Sequence, residues 1–159
     1  MRAAANNELQ GVALVAWRAY LLSHAAIRRV LDADLLAEHG ITARDYEVLL
    51  FLAQEPEHRL AMSALAERTM LTRSGVTRLV DGLQRAGLVR RVSCAEDLRV
   101  SYAELTPAGL ERLREAGRTH IRSVQAAFLD HFSDEEVEQL ADLLGRLPHA
   151  PDAGACTVE

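Results

Sequence analysis

The sequence has few cysteines, prolines and aromatic residues, and its 159 residues include no lysine. Cys94 and Cys156 do not make a disulfide framework, so we expect two reduced thiols. No apolar run approaches the roughly 20 residues that a membrane-spanning helix needs. The N-terminal residues also lack the apolar core of a secretion signal. These absences argue against secreted and membrane proteins and predict a cytoplasmic location.

Motifs for catalysis and for metal binding are missing as well. The sequence contains no Gly-x-Ser-x-Gly nucleophile turn, no phosphate-binding loop and no pair of carboxylates in an apolar setting. The six histidines are scattered, with no His-x-x-x-His pair and no cysteine within a helical turn of a histidine. The sequence therefore predicts a protein that is not an enzyme and that needs no cofactor or metal.

Charge is distributed unevenly along the chain. The formal net charge is -5, yet the segment from Arg59 to Arg99 carries eight arginines against four carboxylates, a local charge of +4. A local positive potential attracts phosphate, and a Debye length of about 8 Å in physiological salt screens distant acidic residues. An acidic protein can therefore still present a surface that binds nucleic acid.

Residues 62–105 have the pattern of two short helices followed by two strands. Thr72 supplies an N-cap oxygen for the second helix, and Gly87 follows that helix as a left-handed terminator. Strands are predicted at 88–92 and 100–105, and a short third strand at 59–61. The apolar face of the second helix consists of Val76, Leu79, Val80 and Leu83. Its other face offers Arg73, Ser74, Gly75, Thr77 and Arg78, side chains suited to hydrogen bonds in a major groove.

Five motifs in this region carry a family resemblance. They are Leu60-x-x-Ser63-x-Leu65-Ala66, Ser74-Gly75-Val76-Thr77-Arg78-Leu79-Val80, Gly87-Leu88-Val89, Asp97-x-Arg99 and Leu105-Thr106-Pro107-x-Gly109. Together they resemble the winged helix-turn-helix of the MarR family of bacterial transcriptional regulators. The chain departs from the family pattern at Ala61, which cannot cap the first helix of the motif, and at Leu98 in the wing.

The resemblance implies double-stranded DNA as the partner and assigns roles to particular residues. Residues of the second helix, its cap included, are expected in the major groove: Thr72, Arg73, Ser74, Gly75, Thr77 and Arg78. Arg99 is expected at the wing tip in the minor groove, and Arg91 is a further expected DNA contact. Asp97 cannot attract phosphate, so its expected role is an ion pair that orients Arg99, Arg90 or Arg91.

Helices are predicted on both sides of this region. A helix from Glu8 to His39 would span about 45 Å at 1.5 Å per residue. Thr42 and Ser133 begin capping-box patterns, and Thr106-Pro107 starts a helix whose apolar stripe runs to Phe132. The predicted class is mainly α with a small β-wing (α+β). It comprises an N-terminal dimerisation helix (1–40), a winged helix-turn-helix lobe (41–105), C-terminal dimerisation helices (106–147) and a disordered tail (148–159).

The flanking helices have more apolar length than the winged lobe can cover, which favours burial between two chains, and the resemblance implies a homodimer. A ligand pocket between these helices and the winged lobe is a second hypothesis. Its candidate residues are Trp17, His24, Arg28, Tyr46 and Glu47, and an aromatic wall with one arginine suits a small aromatic or phenolic anion. Ordinary packing explains the same residues.

The sequence thus predicts a homodimeric repressor that binds a pseudo-palindromic operator and is released by a small ligand. Two alternatives remain open at this stage. One is a regulator that responds to oxidation or to a metal on the same scaffold, for which Cys94 between two arginines would be the thiol. The other is a winged helix that contacts a protein instead of DNA.

Overall fold

The computed structural model describes residues 9–93 and 100–148. In these two ranges the chain forms six α-helices, one 3-10 turn and a three-stranded sheet. The elements are α1 (Gly11–His39), α2 (Ala43–Ala53), β1 (Arg59–Ala61), α3 (Met62–Thr69), α4 (Arg73–Arg85), β2 (Val89–Ser93), β3 (Ser101–Leu105), α5 (Pro107–Ala127), the 3-10 turn (Leu129–His131) and α6 (Asp134–Gly145). This order confirms a mainly helical winged helix-turn-helix fold.

The sheet is antiparallel, with β3 in the centre between β1 and β2. Ala103 of β3 lies opposite Leu60 of β1 on one side and Arg91 of β2 on the other. Both longer strands begin one residue later than predicted: Leu88 precedes β2 and Val100 precedes β3. The short β1 therefore completes the wing, as the sequence predicted.

Capping fixes the starts of the helices. Thr42 and Ser133 each form a full capping box, and Thr72 and Thr106 each accept a hydrogen bond from the backbone three residues later. Ala61 precedes α3 without any side-chain cap bond, as its departure from the family pattern predicted. The four N-caps predicted from the sequence are confirmed.

The core centres on α2 and joins the winged lobe to one residue of α1 and to α5. Its largest fully buried side chains come from α1, α2, α3, α4, β2 and α5: Leu35, Val48, Leu49, Leu52, Leu65, Val76, Val80, Val89 and Leu113. At Gly109 a Cβ would lie 2.0 Å from the carbonyl oxygen of Leu88, so only glycine lets the first turn of α5 approach the start of β2. Gly109 thereby fixes the junction between the wing and α5.

Two predicted helix boundaries were wrong. The first helix begins at Gly11, since Gln10 has extended backbone angles. The helix after the wing ends at Ala127, where Phe128 leaves helical geometry, so Phe128 and Phe132 do not continue its stripe. Their rings pack edge to face, with centroids 5.5 Å apart. The apolar spacing in the sequence continues beyond Ala127, and neither glycine nor proline marks the end of the helix, so the predicted helix was too long.

Two helices leave large apolar side chains uncovered. α1 buries only Leu35 and α6 buries no residue. The exposed apolar side chains of α1 and α6 include Val12, Val15, Trp17, Tyr20, Leu21, Leu22, Val30, Leu36 and Leu143. We call α1 and α6 the arm helices. None of the helices in the described ranges has the length and apolar character required to cross a membrane.

Candidate nucleic-acid interface

α4 presents one buried face and one polar face. Val76, Val80 and Leu83 are buried against the core. Because a helix repeats every 3.6 residues, the opposite face points outward, and Arg73, Ser74, Thr77 and Arg78 are all exposed. The Oγ1 of Thr72 accepts from the backbone N–H of Gly75 at 3.1 Å, which fixes the first turn of this helix. The side chains predicted to contact DNA therefore share one exposed face of α4, and their role stays a prediction.

Gly75 leaves room for the side chains of Thr72 and Leu71 at the start of α4. A Cβ at this position would lie 3.3 Å from the Oγ1 of Thr72 and 3.5 Å from the Cβ of Leu71. A larger residue would press on the capping hydroxyl and on the turn between α3 and α4. Gly75 is half-buried, so its contribution is room for the cap.

The turn between α3 and α4 is short and left-handed. Met70 has a φ of 52°, and the N–H of Leu71 donates to the carbonyl of Ala66 at 3.0 Å. The buried hydroxyl of Thr69 donates to the carbonyl of Leu65 at 2.7 Å, which satisfies a polar group that burial would otherwise penalise. These bonds set the angle between the two helices of the motif.

Arg91 lies at the root of the wing and contacts α4. Its Nη2 is 2.8 Å from Oδ1 of Asp81 and 3.4 Å from the carbonyl oxygen of Thr77. The side chain of Arg91 is 31% exposed and that of Asp81 is 51% exposed. The neighbouring Arg90 pairs instead with Glu104 on β3. The two consecutive arginines of β2 thus form ion pairs with carboxylates on different elements, β3 and α4.

The wing tip falls in residues 94–99, outside the described residues. The expected roles of Arg99 and Asp97 and the thiol chemistry of Cys94 stay predictions. The base of the wing is described, and a groove of about 320 Å³ runs there between α3, α4 and β3. It is lined by Ala61, Met62, Ser63, Arg73, Thr77, Val100 and Ser101. Ser63 and Ser101 extend the polar surface of α4 toward the wing, and the sequence predictions did not include them.

The predicted ligand residues fall into two groups. Trp17 and His24 form a ladder with Tyr20 on the exposed part of α1, with ring centroids 6.0 Å apart from Trp17 to Tyr20 and 6.5 Å from Tyr20 to His24. Arg28 lies eleven residues after Trp17, about 16 Å along the helix at 1.5 Å per residue. One chain therefore does not bring Trp17 next to Arg28.

The second group joins α1 to the winged lobe. Glu47 on α2 pairs with Arg28 at 3.3 Å and with Arg44 at 2.9 Å. Arg44 also donates to the carbonyl oxygen of Thr69, the last residue of α3, at 3.2 Å. A series of polar contacts thus runs from α1 through α2 to the first helix of the helix-turn-helix.

Tyr46 is buried beside this group and stacks on His120 of α5, with ring centroids 4.5 Å apart. Burial lowers the pKa of His120 below the usual histidine range, and the carboxylate of Glu47 opposes part of that shift. The Nδ1 of His120 is buried without a hydrogen-bond partner among the described residues. Sequence reasoning missed His120, because nothing along the chain links it to Tyr46, 74 positions earlier.

No group of three or more potential metal ligands occurs in the part of the chain that the structure describes. No predicted ligand residue lines any of three cavities that described residues bound at the sheet, at the base of the wing and beside α3. The largest of them, about 440 Å³, lies between the sheet and the start of α5, beside His58, Arg90 and Leu110.

Comparisons with known proteins give a family match, relatives in sequence and similar solved structures. Residues 39–99 match a model of the MarR family. The HTH-type transcriptional repressor YetL of Bacillus subtilis (strain 168) is 34% identical over 111 residues, which cover 70% of this chain and 66% of that protein. The chain is also similar to the crystal structure of AbsC, a MarR family transcriptional regulator from Streptomyces coelicolor, with 33% identity and a TM-score of 0.80 over 87% of this chain and 93% of that one.

A second MarR family transcriptional regulator from Streptomyces coelicolor was solved in complex with DNA. Its identity to this chain is 31% and its TM-score is 0.81, over 89% of this chain and 96% of that one.

Proposed function

The chain belongs to the MarR family of transcriptional regulators, a family of regulators and not of enzymes, and on that premise we propose that it is a DNA-binding repressor. It binds a pseudo-palindromic operator as a homodimer and is released by a small aromatic or phenolic ligand. The observation that carries this proposal is the exposed polar face of α4, capped by Thr72 and supported by a buried face.

The chemistry of this face fits a major groove. Arg73 and Arg78 can donate pairs of hydrogen bonds to guanine or phosphate, and Ser74 and Thr77 can bond either bases or phosphates. The wing is assigned to the flanking minor groove through Arg99, on the family resemblance. The relative solved with DNA has the same fold and supports the same partner.

Selection of bound sequences from random duplex DNA tests this proposal, followed by titration at several salt concentrations. We expect enrichment of an inverted repeat with half-sites about 10 base pairs apart, and affinity that falls steeply with salt. A protein-binding winged helix would enrich no sequence, and an apolar protein contact would not weaken steeply with salt.

The homodimer is supported by the arm helices. Single exposed apolar residues are normal on a monomer, but the many exposed apolar side chains along α1, together with Leu143 of α6, mark an interaction surface. A second copy of the same chain supplies matching faces related by a two-fold axis. That axis also matches the symmetry of a pseudo-palindromic operator.

Ligand release is supported by the contacts between α1 and the winged lobe. A ligand carboxylate would compete with Glu47 for Arg28, and an aromatic ring would find Tyr46 and His120 beside it. Displacing Glu47 would loosen its contact with Arg44 and hence the bond from Arg44 to the end of α3. Such a ligand acts only if it binds the DNA-incompetent arrangement more tightly; a tenfold preference corresponds to about 1.4 kcal/mol.

A series of aromatic carboxylates and phenols tests this part of the proposal through release of the selected operator. Arg28→Gln should blunt release, measured against each variant's own operator affinity without ligand, whereas Arg29→Gln, which changes the exposed neighbour on α1, serves as the matched control. Equal release from both variants would place the ligand elsewhere. Fluorescence of the single tryptophan, Trp17, reports whether the ligand also affects the exposed part of α1.

A further inference from the structure

The polar face of α4 contains one acidic residue, Asp81, which lies one helical turn after Thr77. It is exposed on the same side as the proposed DNA contacts. A free carboxylate at this place would face the phosphates of a bound duplex, and like charges brought together across an interface weaken binding. A DNA-reading helix with this residue needs a means of neutralising it.

Arg91 of β2 provides that means. Its Nη2 is 2.8 Å from the Asp81 carboxylate, and the same nitrogen lies 3.4 Å from the carbonyl oxygen of Thr77. Arg91 is less exposed than Asp81, with 31% of its side chain accessible against 51%. Its Nε is buried and has no hydrogen-bond partner in the described ranges, which indicates that the side chain is packed against α4 and does not extend outward.

We propose that Arg91 acts on DNA affinity through Asp81: it neutralises the one carboxylate on the recognition face and fixes the root of the wing to α4, without touching the duplex. Arg91 is then a positioning residue. This inference rests on the proposed DNA-binding function, and it differs from the direct phosphate contact that the sequence predicted for Arg91.

A double-mutant cycle on the selected operator distinguishes the two roles. Arg91→Ala removes the partner that the described residues give Asp81 and should weaken binding by about tenfold. Asp81→Asn alone should bind at least as tightly as the parent. The double variant, Arg91→Ala with Asp81→Asn, should recover to within about twofold of the parent, with an unchanged salt slope. Arg90→Ala is the matched control, because the adjacent Arg90 pairs with Glu104 and not with α4.

A double variant as weak as Arg91→Ala, with a salt slope smaller by about one unit than that of the parent, would overturn the inference in favour of direct contact. If Arg91→Ala does not fold, Arg91→Gln replaces it in the same cycle, and thermal melts of each variant verify the fold. Failure of the parent itself to bind any duplex would overturn the proposed function and this inference with it. A parent that binds while the double variant stays weak overturns only the inference.

Discussion

The winged lobe and the arm helices differ in how much of their apolar surface one chain can bury. In the lobe, α2 contributes Val48, Leu49 and Leu52, each with no exposed area. In the arms, α6 buries nothing, and Val12 of α1 is 85% exposed. The lobe is thus complete within one chain, while the arms carry an apolar surface that one chain leaves open. This difference separates the part that we propose contacts DNA from the part that we propose joins two chains.

The largest expected effect comes from two adjacent leucines of α1, one packed into the core and the other on the open surface. Leu35 is fully buried and Leu36 is 49% exposed. Leu35→Ala should lower the free energy of unfolding by about 2–5 kcal/mol, because it opens a cavity in the core. Leu36→Ala should change stability only through the dimer, so its effect should depend on protein concentration. Thermal melts of both variants over a range of concentrations make this measurement, and equal, concentration-independent losses would contradict it.

A charge on α6 tests the open surface directly. Leu143 is 55% exposed in one chain, so Leu143→Asp should leave the chain folded. In the proposed dimer the new carboxylate would be buried without a partner, at a cost of several kcal/mol. Sedimentation should then detect a folded monomer, with Glu138→Asp on the same helix as the conservative control. An unchanged dimer would remove α6 from the interface.

Loss of one proposed base contact should have a smaller effect, confined to the lobe. Arg78→Ala should cost about 1–3 kcal/mol on the selected operator, and much less on random duplex. Stability and sedimentation should not change, because Arg78 is exposed. Fluorescence anisotropy with both duplexes gives the two affinities. Equal weakening on both would assign Arg78 to the phosphate backbone.

The smallest effect is expected at His120, where α5 packs against α2 of the winged lobe. Burial lowers the pKa of His120, so the folded chain binds this proton less tightly than the unfolded chain does. The associated stability is present above about pH 6.5, the ordinary histidine value, and is lost as the pH falls through the folded-state pKa. The melting temperature should therefore drop in mild acid. His120→Phe keeps a ring against Tyr46 but cannot titrate, and it should flatten that drop.

The sequence predicted the elements whose signals are local. Thr42, Thr72, Thr106 and Ser133 each combine a hydroxyl with the correct following residues, and each caps its helix in the structure. The recognition face followed from the same logic, because helical periodicity assigns Val76 to one side and Thr77 to the other. Elements of this kind depend on neighbours within about four positions.

Features that depend on distant residues were not predicted. The stacking of Tyr46 on His120 and the pairing of Asp81 with Arg91 join different elements, and no spacing along the chain encodes them. The end of α5 was also missed, since Phe128 keeps the apolar spacing while its backbone leaves the helix. Tertiary packing decides such features, so the site could be predicted as a helix face but not as a network of contacts.

The number of chains on a selected operator duplex tests the central claim most directly. Sedimentation of the complex on a duplex with both half-sites, and on one with a single half-site, gives this number. We expect two chains on the full duplex, with half-sites about 34–36 Å apart, and much weaker binding to the single half-site. One chain bound to the full duplex, with equal affinity for the single half-site, would contradict the account.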